Sequence, residues 1–128
     1  MLRILLIGVV VLCATACQRA DVVGVTGAAM TDMETARKAT RLALTEDRAM
    51  VSIERSEGAG MLIEGRYPDG IEVAIDLLPL SRSTTEVSVQ VGHMGHGDSS
   101  QRLLDMILEQ ARSLKDRAVK ARARERSQ

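Results

Sequence analysis

Apolar and polar residues change their rhythm several times along this chain. Residues 4–12 are unbroken apolar sequence apart from Gly8, following a short start of Met1-Leu2-Arg3. From Met33 the apolar positions recur at helical spacing: Met33, Ala36, Ala39, Thr40, Ala43 and Leu44 share one face, with Arg37, Lys38 and Arg41 pointing away. Thr31-Asp32-Met33-Glu34 has the form of a capping box at its start. From residue 49 to 92 the period becomes two. Val51 and Ile53 alternate with Ser52 and Glu54; Met61 and Ile63 with Leu62 and Glu64; Ile71, Val73, Ile75 and Leu77 with Glu72, Ala74 and Asp76; Val87, Val89 and Val91 with Glu86, Ser88 and Gln90. Strands with one apolar and one mostly polar face describe an antiparallel sheet covered on one side. Asp98 or Ser99 is placed to cap a second helix, whose stripe is Leu103, Leu104, Ile107, Leu108, Ala111 and Leu114.

These faces have one economical solution. Both helices pack on the apolar side of the sheet, which predicts an α+β two-layer sandwich: a four-stranded antiparallel meander with two helices on one face, in the order α-β-β-β-β-α. One register follows from the pattern alone. Odd-numbered apolar residues on the second and third strands must lie opposite one another, and a two-residue loop would put Ile63 against Ala74, on the wrong face. A three-residue loop, Pro68-Asp69-Gly70, restores the match, sets Gly70 in the left-handed conformation and places Arg66 across from Glu72. Glu57-Gly58-Ala59-Gly60 turns the hairpin before it, and residues 79–84 join the last two strands.

Composition qualifies this picture. The chain has 128 residues and a single aromatic, Tyr67, so the core must be aliphatic and its side chains each bury less area than Phe or Trp would. Charge is balanced at 17 basic against 17 acidic residues. Nothing in that balance, or in one aromatic, favours nucleic acid. Cys13 and Cys17 both lie at the N-terminal end, which excludes a disulfide framework or a Cys-rich zinc site in the body.

A charged start, an apolar run and small residues form the order of a secretory signal. Fourteen residues from Ile4 to Cys17 fall short of the roughly 20 that a spanning helix needs. Thr15-Ala16-Cys17 resembles the lipobox of bacterial lipoproteins, in which the cysteine thiol receives a diacylglycerol and becomes the new N-terminus. Ala14 stands where lipoboxes usually carry Leu, and Ala14-Thr15-Ala16 also reads as an ordinary secretory cleavage site that would leave a free thiol. An unpaired cysteine in an oxidising compartment is a liability, which favours lipidation of Cys17. The resemblance further implies export to the outer membrane, because Gln18 stands where the inner-membrane retention signal carries Asp. Removing residues 1–16 takes away one basic residue, Arg3, and no acidic one, so the net charge moves from 0 to −1. The expected organisation is a leader at 1–16, a lipidated tether at 17–30 in which Val22, Val23 and Val25 could add a short strand, the domain at 31–114, and a basic tail at 115–128 that is a frayed helix or disordered.

The stretch from about Asp32 to Leu114 resembles an uncharacterised family of bacterial lipoproteins, the domain of unknown function numbered 3568. The resemblance is carried by the Ala-rich helix at 36–44, the Asp69-Gly70 turn and Leu77-Leu78-Pro79-Leu80. It is strongest at Thr84-Thr85-Glu86-Val87-Ser88-Val89-Gln90-Val91-Gly92 and Leu103-Leu104-Asp105-Met106-Ile107. The family pattern has Gly-x-x-Gly-Asp before the last helix; here His96-Gly97 is inserted between Gly95 and Asp98. The resemblance implies a periplasmic lipoprotein domain with no known activity.

Few residues offer chemistry. His93, His96 and Asp98 put two imidazoles and a carboxylate within six residues, enough to hold Zn, Cu or Ni at an open site. The plainer reading has Gly92, Gly95 and Gly97 shaping a strand-to-helix turn, Asp98 capping and both histidines in water; the same glycines could form an anion nest. Glu54, Glu64, Glu72 and Asp76 are expected on the outer face of the sheet, where solvated charge is the default. Ser99 and Ser100 open a helix, where serine is ordinary. No nucleophile motif is present, so no enzyme activity and no cofactor are expected. Lys115, Arg117, Lys120, Arg122 and Arg124 could meet lipid headgroups, lipopolysaccharide phosphates or a protein, or merely solubilise the tail. The sequence thus points to a non-enzymatic envelope lipoprotein, bound to a membrane through a diacylglyceryl Cys17 and meeting a protein partner. The alternative is a periplasmic metal-binding protein using His93, His96 and Asp98.

Overall fold

The structure, a computed structural model, describes residues 24–93 and 97–128. In chain order its elements are β1 (Val25–Ala29), α1 (Met33–Glu46), β2 (Met50–Glu57), β3 (Gly60–Arg66), β4 (Glu72–Ser81), β5 (Thr84–Val91) and α2 (Gly97–Arg126). The class is α+β, as the alternating faces require, but the sheet has five strands in the order β1-β5-β4-β3-β2, all antiparallel. The additional strand lies in what reads from sequence as tether. Its inward positions are Val25, Gly27 and Ala29, opposite Val89, Val87 and Thr85. Small residues there give almost no hydrophobic alternation, yet they are what the site needs. A Cβ on Gly27 would stand 3.2 Å from Leu104 of α2, so the strand fits beneath that helix because it is nearly bare.

One face of the sheet carries the core. Ile63, Val73, Ile75, Leu77, Val87, Val89 and Val91 pack against Ala39, Ala43 and Leu44 of α1 and Leu103, Leu104, Ile107 and Ala111 of α2. The alanines of α1 have no exposed surface, and Thr40 answers its own burial by donating to the Ala36 carbonyl at 2.8 Å. Ser100, also buried, accepts the Val91 backbone N–H at 3.0 Å and pins the start of α2 to the end of β5.

The β3–β4 turn follows the expected register: Arg66 pairs with Glu72, Gly70 has φ +90°, and the Arg66 guanidinium donates to Glu72 at 2.9 Å. Helix caps differ from expectation. Asp32, not Thr31, occupies the N-cap of α1, and Glu34 turns to Arg37 at 2.5 Å instead of reaching back as in a capping box. Helix α2 already includes Gly97, so Asp98 belongs to its first turn and does not cap it.

The largest departure is in β2. Val51 lies across from Gly65 but Ile53 lies across from Glu64, so Ser52 is an extra residue in a bulge. Beyond it every side chain changes face. Ile53 becomes 41% exposed, and Glu54 comes to lie opposite Ile63 on the helix-covered side. Gly65 makes the bulge possible: a Cβ there would stand 2.7 Å from the Met50 carbonyl oxygen.

Candidate functional site

The face of the sheet left uncovered by the described residues carries Glu64, Arg66, Glu72, Ala74, Asp76, Glu86, Ser88 and Gln90, in the register set by β3, β4 and β5. Of the four carboxylates expected there, Glu64, Glu72 and Asp76 are present and Glu54 is not; the bulge has moved it to the other side. Toward the β2 edge this face hollows into an open groove of about 550 Å³, whose lining includes Met50, Ser52, Glu64, Arg66, Glu72 and His93. Leu62 is buried on the same face, with Arg55 and Asp76 across from it in register, while Leu78 stays exposed. The surface mixes charge with apolar area.

Of the predicted metal ligands the structure describes His93 and Asp98, which line different hollows. His93 stands at the groove rim, 86% exposed, with Nε2 3.7 Å from a Glu72 carboxylate oxygen. Asp98 lines a different hollow, beside Arg102 and Glu46 on the helix side. His96, Cys17 and residues 17–23 lie outside the described residues. Among the described residues no three His, Cys, Asp or Glu side chains converge as metal ligands.

The family model for DUF3568, described as a protein of unknown function, matches residues 1–110. The chain belongs to this family. No curated protein matches the chain. The DUF3568 match runs from the N-terminal segment through the sheet into α2 and stops at residue 110, ahead of the basic stretch.

Of the two readings of the tail, a frayed helix or disorder, the structure shows helix: α2 continues unbroken to Arg126, and residues 115–128 are exposed throughout. The reason is local. Ala, Lys, Arg and Glu are strong helix formers, the packed part of α2 has already nucleated the turn, and Arg124 and Arg126 complement the dipole at its end. Lys115 is engaged, its ammonium donating to the Met30 carbonyl at 3.0 Å. No ion pair joins Arg117, Lys120, Arg122 or Arg124 to another described residue.

Two polar clusters of this DUF3568 domain were not foreseen. The Tyr67 phenol donates to Asp47 at 2.5 Å, and the other oxygen of Asp47 lies 3.2 Å from the Arg102 guanidinium. Burial, then the adjoining Asp47 carboxylate, pushes the phenol above its ordinary pKa. The cluster ties the β3–β4 turn to the end of α1 and to α2. Tyr67 stood out as the one aromatic, but its partners are distant in sequence and only folding brings them together.

In the second cluster Glu54 accepts from Arg41 Nε at 2.8 Å and Arg37 Nη1 at 3.1 Å, so α1 is clamped to β2. Arg41 foremost, then Arg37, hold the Glu54 carboxyl below its usual pKa of 4.5, against the opposing effect of burial. A depressed carboxylate stabilises the fold in full above the unfolded value and loses that contribution as pH falls through the folded one. Glu54→Gln is therefore expected to cost roughly 1–2 kcal/mol at neutral pH. In denaturant titrations at several pH values the gap from the parent should close below pH 4.5. A gap that stays constant into strong acid counts against the clamp.

Proposed function

We propose that this protein is an envelope lipoprotein. Residues 1–16 are a leader removed before Cys17, Cys17 carries a diacylglycerol with fatty acyl chains, and the domain faces the periplasm from the outer membrane. The order Arg3, the apolar run 4–12 and Ala14-Thr15-Ala16-Cys17, set eight residues ahead of Val25 in β1, carries this reading. Buried acyl chains contribute roughly 0.8 kcal/mol per methylene, so a cysteine bearing two of them holds a domain at a bilayer. Among the described residues no helix is long and apolar enough to cross a membrane.

The role proposed for the domain is non-enzymatic contact with another envelope protein. The uncovered face and the β2 edge, where Met50 is 78% exposed and Ile53 faces outward, support it. Edge strands offer backbone groups for strand addition, and the bulge at Ser52 keeps this one from pairing indiscriminately. The anchor has a direct test. Mass spectrometry of the N-terminal peptide should find a diacylglyceryl group on Cys17, and Cys17→Ser should leave the membrane pellet for the soluble fraction. A Cys17→Ser protein processed and retained like the parent overturns the proposal. Crosslinking in intact cells from a photoreactive residue at position 50 is expected to give a discrete adduct that the same residue at Lys38 does not.

A further inference from the structure

The topology separates the tether from the basic stretch. Val25 begins β1 opposite Val89, at the end of the sheet where β5 gives way to α2. Helix α2 starts there, held by Ser100 against Val91, and passes over Gly27 through Leu104 and Leu108. It reaches the opposite end at Lys115, which grips the Met30 carbonyl. From that point the helix projects to Arg126, beyond the last packed residue, for about 16 Å at 1.5 Å per residue. The chain joining Cys17 to Val25 spans at most roughly 28 Å even fully extended. The projecting helix therefore leaves the domain from the end opposite its attachment.

In the body Arg37, Arg41, Arg55, Arg66, Arg102 and Arg112 pair with carboxylates while Lys38, Arg48 and Arg82 do not. Beyond Lys115 the cations form a run, Arg117, Lys120, Arg122, Arg124 and Arg126 against Asp116 and Glu125, in which none pairs with another described residue. Arg117, Lys120 and Arg124 follow i, i+3, i+7 spacing and share one side of the helix; Arg122 and Arg126 share another. Val119 and three alanines are the apolar residues of the stretch, too little area to seat a helix in a bilayer. A preformed helix bearing spaced guanidinium groups suits repeated carboxylates, which arginine binds in a bidentate fork, and loses little freedom on binding.

We infer that residues 116–126 are a cationic docking arm for the carboxylate-bearing polymer of the cell wall, on the side of the domain away from the anchoring bilayer. The inference rests on the lipoprotein reading for its orientation. It gives the protein two attachments, lipid at one end and wall at the other.

The test is co-sedimentation of the full processed protein, extracted in detergent, with isolated peptidoglycan. The parent should pellet with it and be released as salt rises from about 50 mM to about 300 mM, as screening of exposed charges requires. Loss of three exposed ionic contacts in Arg117→Gln/Lys120→Gln/Arg124→Gln should weaken binding roughly tenfold. Its thermal midpoint should stay near that of the parent. Lys38→Gln/Arg48→Gln, which removes charge from the body, should bind as the parent does. Equal binding by the triple variant, no pelleting of the parent, or stronger binding of the unlipidated Cys17→Ser protein to phosphatidylglycerol vesicles than to peptidoglycan each overturns the arm. The anchor is read separately from the mass of the N-terminal peptide. Lipidated Cys17 without wall binding removes the arm alone, and wall binding with an unmodified Cys17 removes the anchor and the orientation with it.

Discussion

Ile63→Ala is expected to destabilise the domain by about 2–5 kcal/mol, whereas Ile53→Ala should cost less than about 1 kcal/mol. Both isoleucines sit in strands of the same alternating pattern, and from sequence they are equivalent. Ile63 has no exposed surface and lies at the centre of the helix-covered face, so truncation loses the transfer energy of its methyl groups and leaves a cavity. Ile53 has been turned outward by the bulge at Ser52. Urea titration of the two variants measures the difference. Each kcal/mol moves the thermal midpoint of a domain this size by roughly 4–8 °C, so heating reads it as well. Equal costs would mean that β2 keeps the plain alternation of its sequence and that the bulge is not there.

The second large effect is expected from adding volume. Ala36, Ala39 and Ala43 are completely buried, and α1 packs most closely against α2 and also over the sheet. Ala39→Leu forces a side chain into space already filled by neighbours at native density, with an expected cost of about 1–3 kcal/mol. Leu42→Ala on the exposed side of the same helix should cost under about 0.5 kcal/mol. Thermal unfolding of the pair checks this. An Ala39→Leu domain as stable as the parent would show a gap beneath α1.

The proposed anchor and arm would ask different things of different parts of the chain. The sheet and the packed part of α2 hold together through an aliphatic core. The proposed contact surfaces are the places where, among the described residues, packing leaves side chains exposed or unpaired: Met50 and Ile53 at the β2 edge, and the guanidinium groups beyond Lys115. The clamp at Glu54 shows the contrast. Two arginines that helical periodicity turns away from the core are taken up by a carboxylate that strand periodicity turns away from it, and neither is left for a partner.

How much was legible follows from the range of each interaction. Local alternation and helical spacing determined the α+β class, both helices, the four-strand meander and the register of the Pro68-Asp69-Gly70 turn, because side-chain period and turn geometry act over a few residues. The order of residues in the N-terminal segment carries the whole case for Cys17 in the same way. Tertiary structure alone decided the rest. Val22, Val23 and Val25 allowed a short strand, but the place of β1 was decided by pairing with the backbone of β5 and by the fit of Gly27 under Leu104. The bulge in β2 depends on Gly65 in the neighbouring strand and on two arginines of α1, all remote in sequence. The separation of the start of β1 and the projecting end of α2 to opposite ends is a property of chain direction through the sheet. No window of sequence contains it, since it exists only once five strands and two helices are laid side by side.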